Sequence, residues 1–354
     1  MAYPIQVLLA ETLKRNGSDL HLSVGVPAAI RLDGKLNFFG EPITSDELFE
    51  MISAVLSPNQ IETLLKEKEL DFSFTFHPSE EMNSRFRGNC AFERGNLCAA
   101  LRVITSNIRT TKQLMLSSAL EDIAKRMRGL FLVTGPTGSG KSTTLAALIQ
   151  QINITRYCHI ITIEDPIEYM YFSEKSIIHQ REIGSDTKSF SEALRRALRQ
   201  DPDVILIGEM RDLETVSAAV TAAETGHLVF GTLHTPDASQ TIDRIIDVFP
   251  PHQQQQVRMQ VSNILVGICS QQLLPLPAGG RMIAVELLIA NAAIRNTIRE
   301  GKTSQIKGLI QTGADLGMHT MDQDLARLVK EGYITRADAF AYSYDQKELE
   351  RLLG

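Results

Sequence analysis

The chain lacks any apolar run approaching the ~18–20 residues of a membrane span, and the short stretch IQVLLA near its start is interrupted at Glu11 with no basic region before it. Neither a membrane anchor nor a signal peptide is expected from that pattern. Its four cysteines, Cys90, Cys98, Cys158 and Cys269, form no Cys-x-x-Cys pair, which removes the usual spacing of structural zinc and dithiol redox sites. Free thiols in a chain with no leader suit the reducing cytoplasm. Positive charge is not in excess either: 36 Lys and Arg face 42 Asp and Glu, a net charge of −6. A protein that holds nucleic acid by bulk charge needs the opposite balance, so no nucleic-acid partner is expected. Internal repeats and low-complexity tracts are absent as well.

What remains is a globular composition in a chain of 354 residues, long enough for two domains. Residues 1–103 read as a small α+β unit. IQVLLAETLKRNG has helical spacing and SDLHLSV alternates as a strand. Asp33-Gly34 marks a hairpin turn, and two helices follow, then the strands LDFSFTF, SRFRGNCAFE and LCAALRVI. Residues 104–112 form a polar linker. From 113 to 354 the rhythm becomes strand, loop, helix: GLFLVTG, HIITIED, DVILIGE and HLVFGTLHT are apolar strands separated by helices. One of these helices begins at a Ser189…Glu192 capping box, and another ends at Gly226. Such alternation predicts a mostly parallel sheet covered by helices, an α/β domain. Beyond residue 284 the pattern becomes mainly helical.

The stretch GPTGSGKST comprises Gly135, Pro136, Thr137, Gly138, Ser139, Gly140, Lys141, Ser142 and Thr143. It fits G-x-x-x-x-G-K-[ST] between a strand and a helix, the context in which this pattern cradles phosphate. Its glycines let backbone N–H groups turn inward, and the helix N-terminus adds positive potential. Lys141 reaches the β- and γ-phosphates, and the Ser142 hydroxyl suits Mg2+.

Other strand ends supply the rest of a phosphate site, because ligands in open α/β sheets bind beyond the carboxyl ends of the strands. In DVILIGEMRD, Gly208 stands where a magnesium-binding Asp usually falls, and Glu209 follows it. That carboxylate suits positioning an attacking water and offers a second oxygen ligand to the metal. TIEDPIE adds Glu164 and Glu168, and HLVFGTLHT ends at His234, while His227 begins the same strand at its opposite end.

In their order along the chain, these blocks resemble the secretion-ATPase superfamily, and within it the type IV pilus retraction ATPases. The likeness runs from GSDLHL to AIRNTIREGK at 293–302. It implies a RecA-like P-loop ATPase core, an N-terminal PAS-like domain and a helical C-terminal extension. It also implies ATP and Mg2+ as ligands, a homohexameric ring, and Lys141, Glu164, Glu168, Glu209 and His234 as active-site residues. Matching segments imply that Arg87, Arg102 and Arg128 are arginines delivered across domains and subunits. The partners so implied are the cytoplasmic face of an inner-membrane pilus platform protein and a paralogous retraction ATPase, with the protein cytoplasmic and peripheral to that membrane. In that family the segment matching AIRNTIREGK is tied to retraction rather than to ATP turnover. An accessory retraction ATPase, a pilus extension or type II secretion ATPase, a non-catalytic nucleotide-gated module and a nucleic-acid motor are the alternatives. The tetracysteine motif and longer N-terminus of the extension and type II relatives are missing here.

Overall fold

The computed structural model describes residues 3–32, 34–79, 82–104, 107–277 and 279–354. Two units emerge, Met1–Asn107 with Glu168–Met170, and Ile108–Ile167 with Tyr171–Gly354.

In the first unit, helix α1 (Ile5–Lys14) precedes strands β1 (Asp19–Ser23), β2 (Ala28–Leu32) and β3 (Lys35–Phe39). Helices α2 (Ser45–Ser53) and α3 (Pro58–Glu67) follow, then β4 (Glu69–Ser79), β5 (Met82–Glu93) and β6 (Asn96–Ile104). The strands form one antiparallel sheet in the order β3-β2-β1-β6-β5-β4. Thr44 and Ser57 start α2 and α3 with full capping boxes, each satisfying amides that the helix leaves unpaired. Strand alternation sends Leu20, Leu22, Ile30, Phe86 and Leu101 into the core, and leaves a polar face of Asp19, Arg102 and Arg87. The hairpin joins β2 to β3 with Gly34 at φ +80°; Asp33 lies outside the described residues.

The second unit begins with α4 (Ser118–Ala124) and continues β7 (Gly129–Thr134), α5 (Lys141–Thr155), β8 (His159–Glu164), β9 (Ile177–Glu182) and α6 (Phe190–Ala197). Next come β10 (Val204–Ile207), α7 (Leu213–Glu224), β11 (Leu228–Leu233), α8 (Ala238–Asp247) and α9 (Pro251–Ile264). The hairpin of β12 (Leu265–Pro275) and β13 (Arg281–Ile289) leads into α10 (Ala292–Arg299), α11 (Ile306–Gln311), α12 (Met321–Lys330), α13 (Arg336–Tyr342) and α14 (Gln346–Leu353). The sheet order is β13-β12-β7-β11-β10-β8-β9, parallel throughout except for β13. Thus β7 sits between β11 and β12 and away from β8, its successor in sequence. This is the RecA-like arrangement, and it opens a crevice at the carboxyl end of β7.

Strands β7 and β11 are buried along their whole length, with Phe131 and Phe230 meeting edge to face at 5.9 Å. Each fully buried Phe contributes about 1.5–3 kcal/mol.

Three readings need correction. The mainly helical region starts at Ala292, not at 284, because β13 continues to Ile289. Strand β12 carries Ser270, Gln271 and Gln272 as buried polar residues, and their polarity hid a central strand. The Ser189…Glu192 box is only half made: Ser189 accepts the Glu192 N–H at 3.2 Å, while the Glu192 carboxylate turns toward Arg196.

Candidate active site

Four segments of the second unit end at the same edge of the sheet. The first is the loop after β7. Gly135, Gly138 and Gly140 have φ of +134°, +79° and +91°, conformations that glycine reaches without strain. At Gly135 a β-carbon would also lie 2.3 Å from the Gln271 carbonyl oxygen, so only glycine lets the loop close on β12. Lys141 opens α5 and bends back, its Nζ donating to the carbonyls of Gly135 (2.8 Å) and Pro136 (3.0 Å). Ser139 Oγ, buried under the loop, and Gln271 Oε1 are without a hydrogen-bond partner among the described residues. Gln271 Nε2 donates to Thr144 Oγ1 at 2.7 Å, which fixes the first turn of α5 to β12.

The second and third segments follow β8 and β10. Glu164 is 8% exposed, and its Oε1 accepts from Thr162 Oγ1 (2.7 Å) and Gln180 Nε2 (3.4 Å). Gly208 explains the missing Asp: a β-carbon there would come within 3.2 Å of both Glu164 Cα and the Ile163 carbonyl oxygen. Its own N–H donates to that carbonyl at 2.7 Å, so the ends of β8 and β10 touch. Glu209 is thereby carried past the strand end and lies between an imidazole and a guanidinium. His234 Nε2 stands 3.0 Å from its Oε1, and Arg211 Nε contacts the same oxygen.

The fourth segment follows β11 and ends at His234. Inside this strand Gly231 has a clear purpose, since a β-carbon there would meet Met210 Sδ at 2.4 Å. Met210 N donates to the Thr232 carbonyl at 3.0 Å, so the segment carrying Glu209 packs directly on the strand carrying His234. Gly231→Ala is therefore expected to push Met210 out, cost about 1–3 kcal/mol and lower ATP turnover. Thermal melting and steady-state phosphate release measure the two effects. His227, at the other end of β11, turns back instead: its Nδ1 lies 2.9 Å from the Ala222 carbonyl and 3.1 Å from Thr225 Oγ1, at the end of α7.

The structure thus brings together residues 135–143, Glu164, Glu209 and His234. Arg87, Arg102 and Glu168 belong to the first unit. There Arg102 lies directly opposite Arg87 across β5 and β6, and its Nε donates to Asp19 at 2.8 Å. Burial opposes ionisation of Asp19, but hydrogen bonds from Ser18 and Arg102 outweigh it and hold the carboxyl below its ordinary range. Arg128 precedes β7 and so stands at the opposite end of a six-residue strand, roughly 20 Å from the phosphate loop. There it borders a cleft with Arg126 and Arg295. Arg211, Thr162 and Gln180 were not singled out from sequence. Arg211 lies two residues after Glu209, and that spacing alone does not show that it turns back.

Ser142 and Glu209 offer the hydroxyl and carboxylate oxygens that suit a hard cation. Among the described residues no group of three or more His, Cys, Asp or Glu could hold a metal ion.

Residues 60–338 match the family described as Type II/IV secretion system protein. The chain is 47% identical over 336 residues to the type IV pilus retraction ATPase PilT of Pseudomonas aeruginosa, covering 95% of this chain and 96% of that one. It is also 47% identical to a twitching motility protein of Neisseria gonorrhoeae, covering 94% and 89%. Among solved structures, the pilus retraction motor PilT with bound ADP superposes with a TM-score of 0.91 at 50% identity, covering 99% of both chains.

Proposed function

The chain belongs to the Type II/IV secretion system protein family, and from that premise we propose that it is an ATPase whose hydrolysis drives retraction of a type IV pilus. The observation that carries this reading is the convergence of the phosphate loop, Glu164 and the Glu209–His234 pair at one edge of a RecA-like sheet. ATP binds with its β- and γ-phosphates in loop 135–143, where Lys141 exchanges its contacts with Gly135 and Pro136 for phosphate oxygens. Ser142 and Glu209 would hold Mg2+, which would neutralise phosphate charge. Glu209 orients the attacking water, and His234 hydrogen-bonds the γ-phosphate side of the site.

Six copies form a ring in which Arg87, Arg102 and Arg128 act on a neighbour's nucleotide. Turnover moves the two units as rigid bodies against a pilus platform protein at the cytoplasmic face of the inner membrane, with a paralogous retraction ATPase as a second partner. No helix among the described residues is long and apolar enough to cross a membrane, which suits a peripheral motor. Deleting the gene tests the reading. Accumulated surface pili with lost twitching support it; loss of pili indicates an extension motor. Absence of phosphate release from the purified chain would leave a nucleotide-gated module instead.

Helix α10 makes a separate claim, as the element that passes motion to the ring's output surface. Helical spacing alone sets Arg295 and Arg299 apart from the apolar face of Ile294, Thr297 and Ile298, but Arg295 is tied down. Its Nη1 donates to the carbonyls of Ser262 (2.7 Å) and Asn263 (2.6 Å) at the end of α9. Losing it strips partners from helix-end carbonyls and is expected to cost about 1–3 kcal/mol. Arg299 is exposed, so Arg299→Ala should change stability by under ~0.5 kcal/mol and leave ATPase activity intact. Retraction should nevertheless fail, with cells hyperpiliated; normal twitching in this variant would leave α10 as scaffold.

A further inference from the structure

After His234 the chain runs through Thr235, Pro236 and Asp237 into α8, and two distant side chains hold that stretch. Glu286, in β13, is 5% exposed and accepts the N–H of Ala238, the first residue of α8, at 2.9 Å. The N–H of Met321, the first residue of α12, also favours its ionised form. One buried carboxylate therefore faces two helix N-termini, whose partial positive charge favours an anion. Asp237 already caps α8 by accepting the Gln240 N–H at 2.8 Å, so Glu286 is not needed as the ordinary cap. Tyr344, between α13 and α14, donates its hydroxyl to the Pro236 carbonyl at 3.2 Å. Between these two contacts lies a cavity of about 310 Å3 bordered by Asp237, Ser304, Lys307 and Asp322.

Burying a charge is costly where a neutral acceptor would satisfy the same N–H groups. That cost has a use if the strength of the hold on α8 matters to the segment before it. We infer that Glu286 and Tyr344 are positioning residues for ATP hydrolysis, setting the 235–238 segment and through it the place of His234 beside Glu209. Glu286 does this by holding the start of α8 to β13, and Tyr344 by tying Pro236 to the segment between α13 and α14, so the C-terminal region bears on the hydrolysis site. The inference rests on the proposed roles of Glu209 and His234.

The charge environment makes the hold sensitive to pH near neutrality. Burial pushes the Glu286 carboxyl up to about 7, with the charge of Asp237 adding to the rise and the Ala238 and Met321 N–H groups and Lys307 opposing it. Lys307 on α11 is largely committed elsewhere, at 3.0 Å from Glu348, 3.7 Å from Asp345 and 3.9 Å from Asp322. Tyr344 completes the titratable groups facing the cavity, its phenol raised by burial to about 12. Above pH ~7 the ionised carboxylate grips the Ala238 N–H; below it the protonated acid grips it more weakly. Turnover should therefore rise through this range. Stability moves the other way: with the folded value raised above the ordinary 4.5, the contribution of Glu286 to stability falls as pH rises between the two values.

The test uses the full-length chain in its assembled form, measuring kcat and KM for ATP from pH 6 to 8.5 alongside thermal melting. Glu286→Gln should lower kcat by about 10-fold, since small misplacements far from the reacting atoms can cost that much. KM should be unchanged, and the wild-type inflection near pH ~7 should vanish. Tyr344→Phe removes only a hydroxyl from a half-buried side chain, and decides the question should the first variant not fold. It should lower kcat several-fold at unchanged KM and melting temperature. Wild-type kcat in Tyr344→Phe, or a Glu286→Gln profile that keeps the inflection, overturns the inference. Glu209→Gln run in parallel separates the causes: if it hydrolyses normally, the reading of the hydrolysis site has failed; if only it is impaired, the positioning role has.

Discussion

Arg102→Ala should lower ATP turnover by about 10³-fold or more while ATP affinity stays near normal, the range seen where an arginine supplies transition-state charge. Arg102 sits in the first unit with two-thirds of its side chain exposed, and Asp19 holds its guanidinium. Its neighbour across the sheet, Arg87, is also exposed. Like charges directly opposite are destabilising, so the pair suits an anionic ligand. Action in trans is tested by mixing. A Lys141→Ala chain has a dead site of its own but still carries Arg102, so mixed rings should recover turnover at mixed interfaces. Arg128→Ala should behave in the same way, because roughly 20 Å of strand separates Arg128 from its own phosphate loop. Mixed rings shown to form, yet with no recovery at any ratio, would mean that these arginines do not act across subunits.

Glu209→Gln should retain ATP binding and lose hydrolysis by about 10²-fold or more, as for removal of a positioned base. The substitution keeps shape but removes the charge that draws His234 and Arg211 to one oxygen. The phosphate loop and Lys141 are untouched by the change, so the defect should fall mainly on the hydrolysis step. Rapid quench with pre-bound ATP reads that step directly. Wild-type turnover in this variant would shift the role to Glu164, the nearby carboxylate already oriented by Thr162 and Gln180.

The phosphate loop was legible because its chemistry is local. Gly135, Gly138 and Gly140 must adopt positive φ, and Lys141 must open a helix, all within seven residues of chain. The apolar strands were legible for a similar reason, since burial on both faces leaves an unbroken hydrophobic run. Where a strand is buried but polar, as with Ser270, Gln271 and Gln272 in β12, that signal disappears. Arg295 misled for a related reason: helical spacing separates faces but does not show that α9 ends against one of them.

By itself, then, the sequence determined the alternating α/β class, the phosphate-binding loop, and Glu164, Glu209 and His234 as the acidic and imidazole groups at strand ends. These follow from backbone conformation and hydrophobic period, properties of contiguous residues. Only the tertiary structure decided why Gly208 stands in place of Asp, that Arg211 shares Glu209 with His234, and that Arg128 lies at the far pole of the sheet. It alone joined Glu286 to Ala238, 48 positions away, and Arg102 to Asp19, 83 positions away. Such contacts depend on which strand lies beside which, and strand order arises from packing the whole sheet rather than from any single stretch of chain.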